Sequence, residues 1–129
     1  DSQTEPIYAV AAVDSNTVKV LCYSFDIDPQ AKYSTDVKIQ INVSDIGRKF
    51  RVSKYELSEK KANSAYLCSS RKITQADCEK SLDLVDQINR ESQLLREDVG
   101  IYEAVGGELN LVSTMASFSA NLFVVEKLN

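Results

Sequence analysis

A mainly all-β fold, an antiparallel β-sandwich with one α-helical insertion between its fourth and fifth strands, is the class this sequence predicts. Three observations predict it. Val37, Ile39, Ile41 and Val43 alternate with Lys38, Gln40 and Asn42, the period of a strand with one wet face. Other short apolar runs are separated by turn residues such as Asp14-Ser15-Asn16 and Gly106-Gly107, as in hairpins and meanders. A single stretch, from Thr74 onward, switches to helical spacing.

The elements follow in order. Residues 1–6 are polar, end in Pro6 and read as a linker stub or frayed start; residues 7–129 read as one sandwich domain. Ile7 to Val13 and Thr17 to Phe25 flank the Asp14 turn and form a hairpin. Thr17–Phe25 carries Val18, Val20 and Cys22 on one face and Leu21, Tyr23 and Phe25 on the other. A strand apolar on both faces is usually covered on both. A polar loop with Pro29 spans Asp26 to Thr35, and Asp45-Ile46-Gly47 ends the alternating strand. The fourth strand starts with Phe50 and Val52 in one phase and continues with Tyr55 and Leu57 in the other, predicting a β-bulge or strong twist near Ser53 and Lys54. Residues 58–72 are polar and aperiodic. Thr74-Gln75-Ala76-Asp77 fits a capping box, and Leu84, Val85, Ile88, Leu95 and Val99 predict one helix, or two in succession, from Gln75 to about Glu97. Leu109 and Leu111 begin the fifth strand, and Phe118 to Lys127 is the sixth.

The chain has 129 residues, 43% hydrophobic and 26% charged, with net charge −4. That suffices for one packed core and excludes a disordered or collagen-like chain. A complete (β/α)8 barrel needs roughly 200–250 residues and does not fit. The acidic balance and scattered basic residues argue against nucleic acid as a partner. No run reaches the ~18 apolar residues of a membrane span. Beginning at Asp1 rather than Met, the chain reads as a processed product or an excised fragment.

Chemistry-bearing constellations are few. The sequence contains no His, which removes Ser-His-Asp, Cys-His and His-metal schemes. Asp26 and Asp28 before Pro29 read as turn chemistry rather than a cation site. Gly106-Gly107 lacks the Lys-Ser/Thr of a phosphate loop. No cofactor or metal is expected. Cys22 reads as a buried thiol, while Cys68 and Cys78 flank a loop and are the candidate disulfide pair if the chain is exported, a pairing not expected in the cytosol. Asn42-Val43-Ser44 is an N-glycosylation sequon on the polar face of a strand. Tyr33, Tyr66 and Tyr102 fall in loops or at element ends and are the aromatic candidates for a sugar contact.

The order of the segments resembles the C-terminal β-sandwich domain of glycoside hydrolase family 39, the β-xylosidases and α-L-iduronidases, from about Ile7 to Leu128. Val18-Lys-Val-Leu-Cys-Tyr-Ser-Phe25 is similar to a family strand motif. Val52-Ser-Lys-Tyr-Glu-Leu57 and Asn63-Ser-Ala-Tyr66 are similar to its Tyr-containing strand and Ser-Asn-x-Tyr loop. Gly107-Glu-Leu-Asn-Leu111 and Ser117 to Glu126 are similar to its closing hairpin. Departures are the missing Trp after the loop Tyr, where Leu67-Cys68 stand, and Ser58 in place of an Asp. The resemblance implies that chemistry resides in a separate barrel, where two Glu residues, one after an Asn, run a retaining mechanism. No Asn-Glu pair occurs here, so no catalytic residue carries over. It further implies an accessory role: packing on the barrel of an exported parent (secreted, periplasmic or lysosomal), with Asn63, Tyr66, Tyr33 and Tyr102 as sugar or barrel contacts, and strands from the start of the enzyme joining the sandwich. Two other functions remain open: an independent carbohydrate- or protein-binding module, and a structural or adhesive sandwich unrelated to sugars.

Overall fold

A computed structural model describes residues 7–24, 34–58 and 61–129. Within them run strands β1 (Ile7–Val13), β2 (Thr17–Ser24), β3 (Ser34–Asn42) and β4 (Lys49–Leu57). Helices α1 (Ser64–Ser70), α2 (Gln75–Lys80) and α3 (Leu82–Glu91) follow, then β5 (Arg96–Glu103), β6 (Glu108–Ala116) and β7 (Ala120–Lys127). Five strands form one sheet in the order β1-β2-β7-β4-β5, and β3 and β6 form the other. All the pairings are antiparallel. The linker read at residues 1–6 and the Pro29 loop lie outside the described residues.

The core lies between the sheets. Val18, Val20 and Cys22 of β2, Phe50 and Val52 of β4, and Phe123 and Val125 of β7 meet Ile39 and Ile41 of β3 and Leu109, Leu111 and Met115 of β6. Every second residue of β6 is buried, as a sheet with one wet face requires. Beside this apolar layer, Asn121 is buried, and its Nδ2 donates to Ser113 Oγ at 2.7 Å and approaches Met115 Sδ at 3.1 Å.

Three features differ from the sequence expectation. First, the helical stretch from Gln75 is two helices, one of the two readings allowed, but it ends at Glu91, and β5 occupies the stretch read as its end; Val99 is a strand residue. Seven strands are present among the described residues, not six. β5 carries a charged start (Arg96, Glu97, Asp98) and Gly100 on an edge strand, so it shows no clean alternation. Second, residues 64–70 are helical. Asn63 caps α1, its Oδ1 accepting from the Tyr66 N–H at 3.1 Å. Third, the register shift at Val52/Ser53 falls where the phase slip placed it, but β4 pairs with β7 without interruption. The extra residue is Val99, since Val52 faces Gly100 while Ser53 faces Asp98. Gly100 takes φ 137° there, a conformation open to glycine.

The capping box forms as read. Thr74 Oγ1 accepts from the Asp77 N–H at 3.2 Å and Asp77 Oδ2 from the Thr74 N–H at 2.9 Å. Ser81 leaves the helical region at φ −143°, ends α2, and caps α3 by accepting from the Leu84 N–H at 3.2 Å. Arg71 and Glu91 tie the end of α1 to the end of α3 through two bonds of 2.6 and 2.8 Å. These hydrogen bonds hold the Glu91 carboxyl below the usual range and raise the Arg71 guanidinium. A depressed carboxylate contributes stability above its unfolded value of about 4.3, lost as pH falls through the lower folded value. Side-chain NMR titration should therefore find a low Glu91 midpoint, moving to the ordinary range in Arg71→Ala. The helical segment should loosen in acid before the sheets do; an unmoved midpoint would show that the pair is not formed in solution.

Candidate docking surface

Strand β1 reads Ile-Tyr-Ala-Val-Ala-Ala-Val, apolar at all seven positions. Burial of such a strand on both faces is the usual outcome. Instead all but Ile7 are exposed: Tyr8 by 48%, Val10 by 59% and Val13 by 69%. Among the described residues β1 is also an edge strand, paired on one side with β2.

Register explains both exposures. Ile7, Ala9, Ala11 and Val13 pair with Ser24, Cys22, Val20 and Val18, so they share the core-facing side. Among the described residues the second sheet consists of β3 and β6, against the five strands of the first. A groove of about 520 Å3 is left between β1 and β3, lined by Ile7, Ala9, Ala11 and Val13 with Val37 and Ile39, and at its polar edge by Lys38, Gln40 and Asn42. On the opposite face, successive cross-strand rows are apolar. Tyr8, Tyr23, Ala120 and Leu57 form one row; Val10, Leu21, Leu122 and Tyr55 form the next. Tyr8 stacks on Tyr23 with ring centroids 5.3 Å apart. Toward β4 this outer face is closed over, since Ser53 and Val124 are buried. Toward β1 and β2 it is open, and Tyr8, Val10 and Leu21 reach solvent. Its far end has a charged border, where Glu126 pairs with Arg96 and Arg51 with Asp98.

The residues singled out in the sequence do not converge on this surface. Asn63 and Tyr66 are brought together by the α1 cap, and Tyr66 is half-buried. Tyr102 lies on β5 opposite Phe50 and packs against the core. Tyr33 lies outside the described residues. Cys68 on α1 and Cys78 on α2 are half-buried free thiols, so the pairing read for an exported chain is not made in this structure. Cys22 is a buried thiol, its pKa pushed up by desolvation. Asn42 is exposed at the end of β3. Among the described residues no group of three or more Cys, Asp or Glu could hold a metal, and no helix is long and apolar enough to cross a membrane. Sequence reasoning noted two-sided apolarity in β2 and missed it in β1, where an uninterrupted apolar run hides which face is which.

No family model matches the chain, and no curated protein matches it in sequence. Solved structures do share its fold. A GH39 enzyme from Xanthomonas axonopodis pv. citri superposes over 94% of this chain with TM-score 0.74 at 12% identity. A bacterial orthologue of human α-L-iduronidase superposes over 96% with TM-score 0.72 at 7% identity. A monomeric β-xylosidase from Caulobacter crescentus CB15 superposes over 96% with TM-score 0.63 at 15% identity. The match takes up only 26%, 22% and 26% of those chains respectively. The fold is thus that of a quarter-length portion of GH39 glycosidases, the family whose segment order the sequence resembles.

Proposed function

We propose that this chain is a non-catalytic accessory β-sandwich of a retaining glycoside hydrolase. It lies C-terminal to a (β/α)8 barrel outside this sequence, packs on that barrel and stabilises it, in an enzyme exported from the cytosol. The observation carrying this reading is β1: an entirely apolar edge strand exposed on both faces. An isolated domain with such an edge invites strand addition and aggregation, and an exposed apolar patch of this kind marks a contact surface. The barrel covers the outer face at Tyr8, Val10 and Leu21. A strand from the start of the parent fits the groove beside β3. The fraction of each structural neighbour that the chain matches supports the same reading.

The test is Val10→Lys, made in the whole glycosidase and in the excised domain. In the excised domain the side chain is already in water, so melting should not change. In the whole enzyme a lysine at the contact forfeits about 1–3 kcal/mol of apolar burial. Activity at low temperature should persist while heat inactivation accelerates. Equal heat resistance of wild type and variant would overturn the packing role. An excised domain that is monomeric and binds glycan unaided would favour an independent binding module.

A further inference from the structure

The chain contains one N-x-[ST] sequon, Asn42-Val43-Ser44. We propose that Asn42 is an acceptor for an N-linked glycan whenever the chain enters a glycosylating secretory compartment. The polar face of the β3–β6 sheet is then a solvent face in the assembled protein.

Three observations carry this. Asn42 is the last residue of β3 and is exposed, while its neighbour Val43 is fully buried. The buried Val43 fixes the strand end and turns the Asn42 side chain outward. Asn42 Oδ1 accepts from the Ser44 N–H at 3.1 Å and from the Ser44 hydroxyl at 2.8 Å. The sequon's two polar residues are therefore already joined, and the amide nitrogen Nδ2 is not used in that turn. Finally, the outward positions around Asn42 are polar, although Asn42 also stands at the polar edge of the groove between β1 and β3. Asn42 pairs with Glu108, and the next outward position on β3, Gln40, hydrogen-bonds the Glu108 carboxylate. A bulky hydrophilic substituent is tolerated on such a polar face and would be excluded from the outer face of β1.

The modification needs a polyisoprenyl diphosphate-linked oligosaccharide as co-reactant. Asn42 Nδ2 attacks C1 of the first sugar. The Nδ2–C1 bond forms as the C1–O bond to the diphosphate breaks, one amide proton leaves to base, and the polyisoprenyl diphosphate departs. No oxidation or reduction takes place.

The experiment translates the full chain behind an ER signal sequence in a cell-free system with microsomes, where transfer occurs on the nascent chain and does not depend on later folding. The expected result is one mobility step, removed by peptide-N-glycosidase, which leaves Asp at position 42. Ser44→Ala should abolish the step and Ser44→Thr should retain it. An unshifted wild-type chain, with a control sequon glycosylated in the same reaction, would overturn the proposal. A shift persisting in both Ser44→Ala and Asn42→Gln would overturn it as well.

Discussion

Phe50→Ala should remove a large share of the domain's stability. Phe50 is fully buried at the centre of the core cluster. Its ring lies on β4 with β7 on one side and β5 on the other, where Lys127 and Tyr102 are its register partners. Truncating a phenylalanine at such a site costs about 3–5 kcal/mol, the lost transfer energy plus a cavity that rigid strands do not close. A domain's whole stability is only about 5–15 kcal/mol. Val52 and Tyr102 are anchored on either strand and cannot move in without breaking ladder bonds. Chemical denaturation should show a lower midpoint with unchanged slope. A loss below about 1 kcal/mol would mean that the sheets slide together to fill the space, and that the core is more plastic than its packing implies.

Asn121→Asp should be destabilising by a comparable amount, and the loss should grow with pH. The Asn121 side chain is buried, its Nδ2 bonded to Ser113 Oγ and its Oδ1 without a hydrogen-bond partner among the described residues. A carboxylate there loses the Nδ2 donor, and the side-chain partners of Asn121, Ser113 and Met115, carry no charge, so the folded state keeps it protonated and its pKa rises. The native state then binds more protons than the unfolded one. Stability falls as pH rises above the unfolded aspartate value of about 3.9, by about 1.36 kcal/mol per unit, until the raised folded value is passed. The variant should be nearest to wild type in mild acid and weakest at neutral pH. A flat pH profile would show that the carboxylate reaches water or finds a partner.

Much of this architecture is legible in the sequence, for physical reasons that differ by element. The alternation at Val37–Val43 and the Asp14 turn are local signals and give β3 and the β1–β2 hairpin. Thr74 and Asp77 announce a helix start because the capping box is a pair of local hydrogen bonds. Asn63 and Ser81 carry the same cap chemistry. Ser81 precedes the helical spacing of Leu84, Val85 and Ile88, which is legible, whereas no periodic apolar run follows Asn63 and α1 is not visible in advance. β5 is hidden because its pairing with β4 is set by a partner some forty residues away, and because Val99 and Gly100 spend a residue on a bulge. The Tyr55–Leu57 phase reflects apolar groups on both faces of β4, and the bulge read from it lies at Val52/Ser53 with its extra residue, Val99, on β5. The docking surface is the least legible part. Ile7–Val13 looks like core in sequence, and its exposure emerges only when it is placed at the edge of the five-stranded sheet, opposite a second sheet that has two strands among the described residues.

The most direct test of the accessory role is thiol accessibility at β1. Val10→Cys, placed in the excised domain and in the whole glycosidase, is reacted with a maleimide and read by residue-resolved mass spectrometry. Cys68 and Cys78 serve as internal references. The account predicts rapid labelling of the excised domain and protection by at least about tenfold in the whole enzyme, a factor corresponding to about 1.4 kcal/mol. Equal labelling rates in the two would place Val10 in water in both, and would contradict the packing of this sandwich on a barrel through β1.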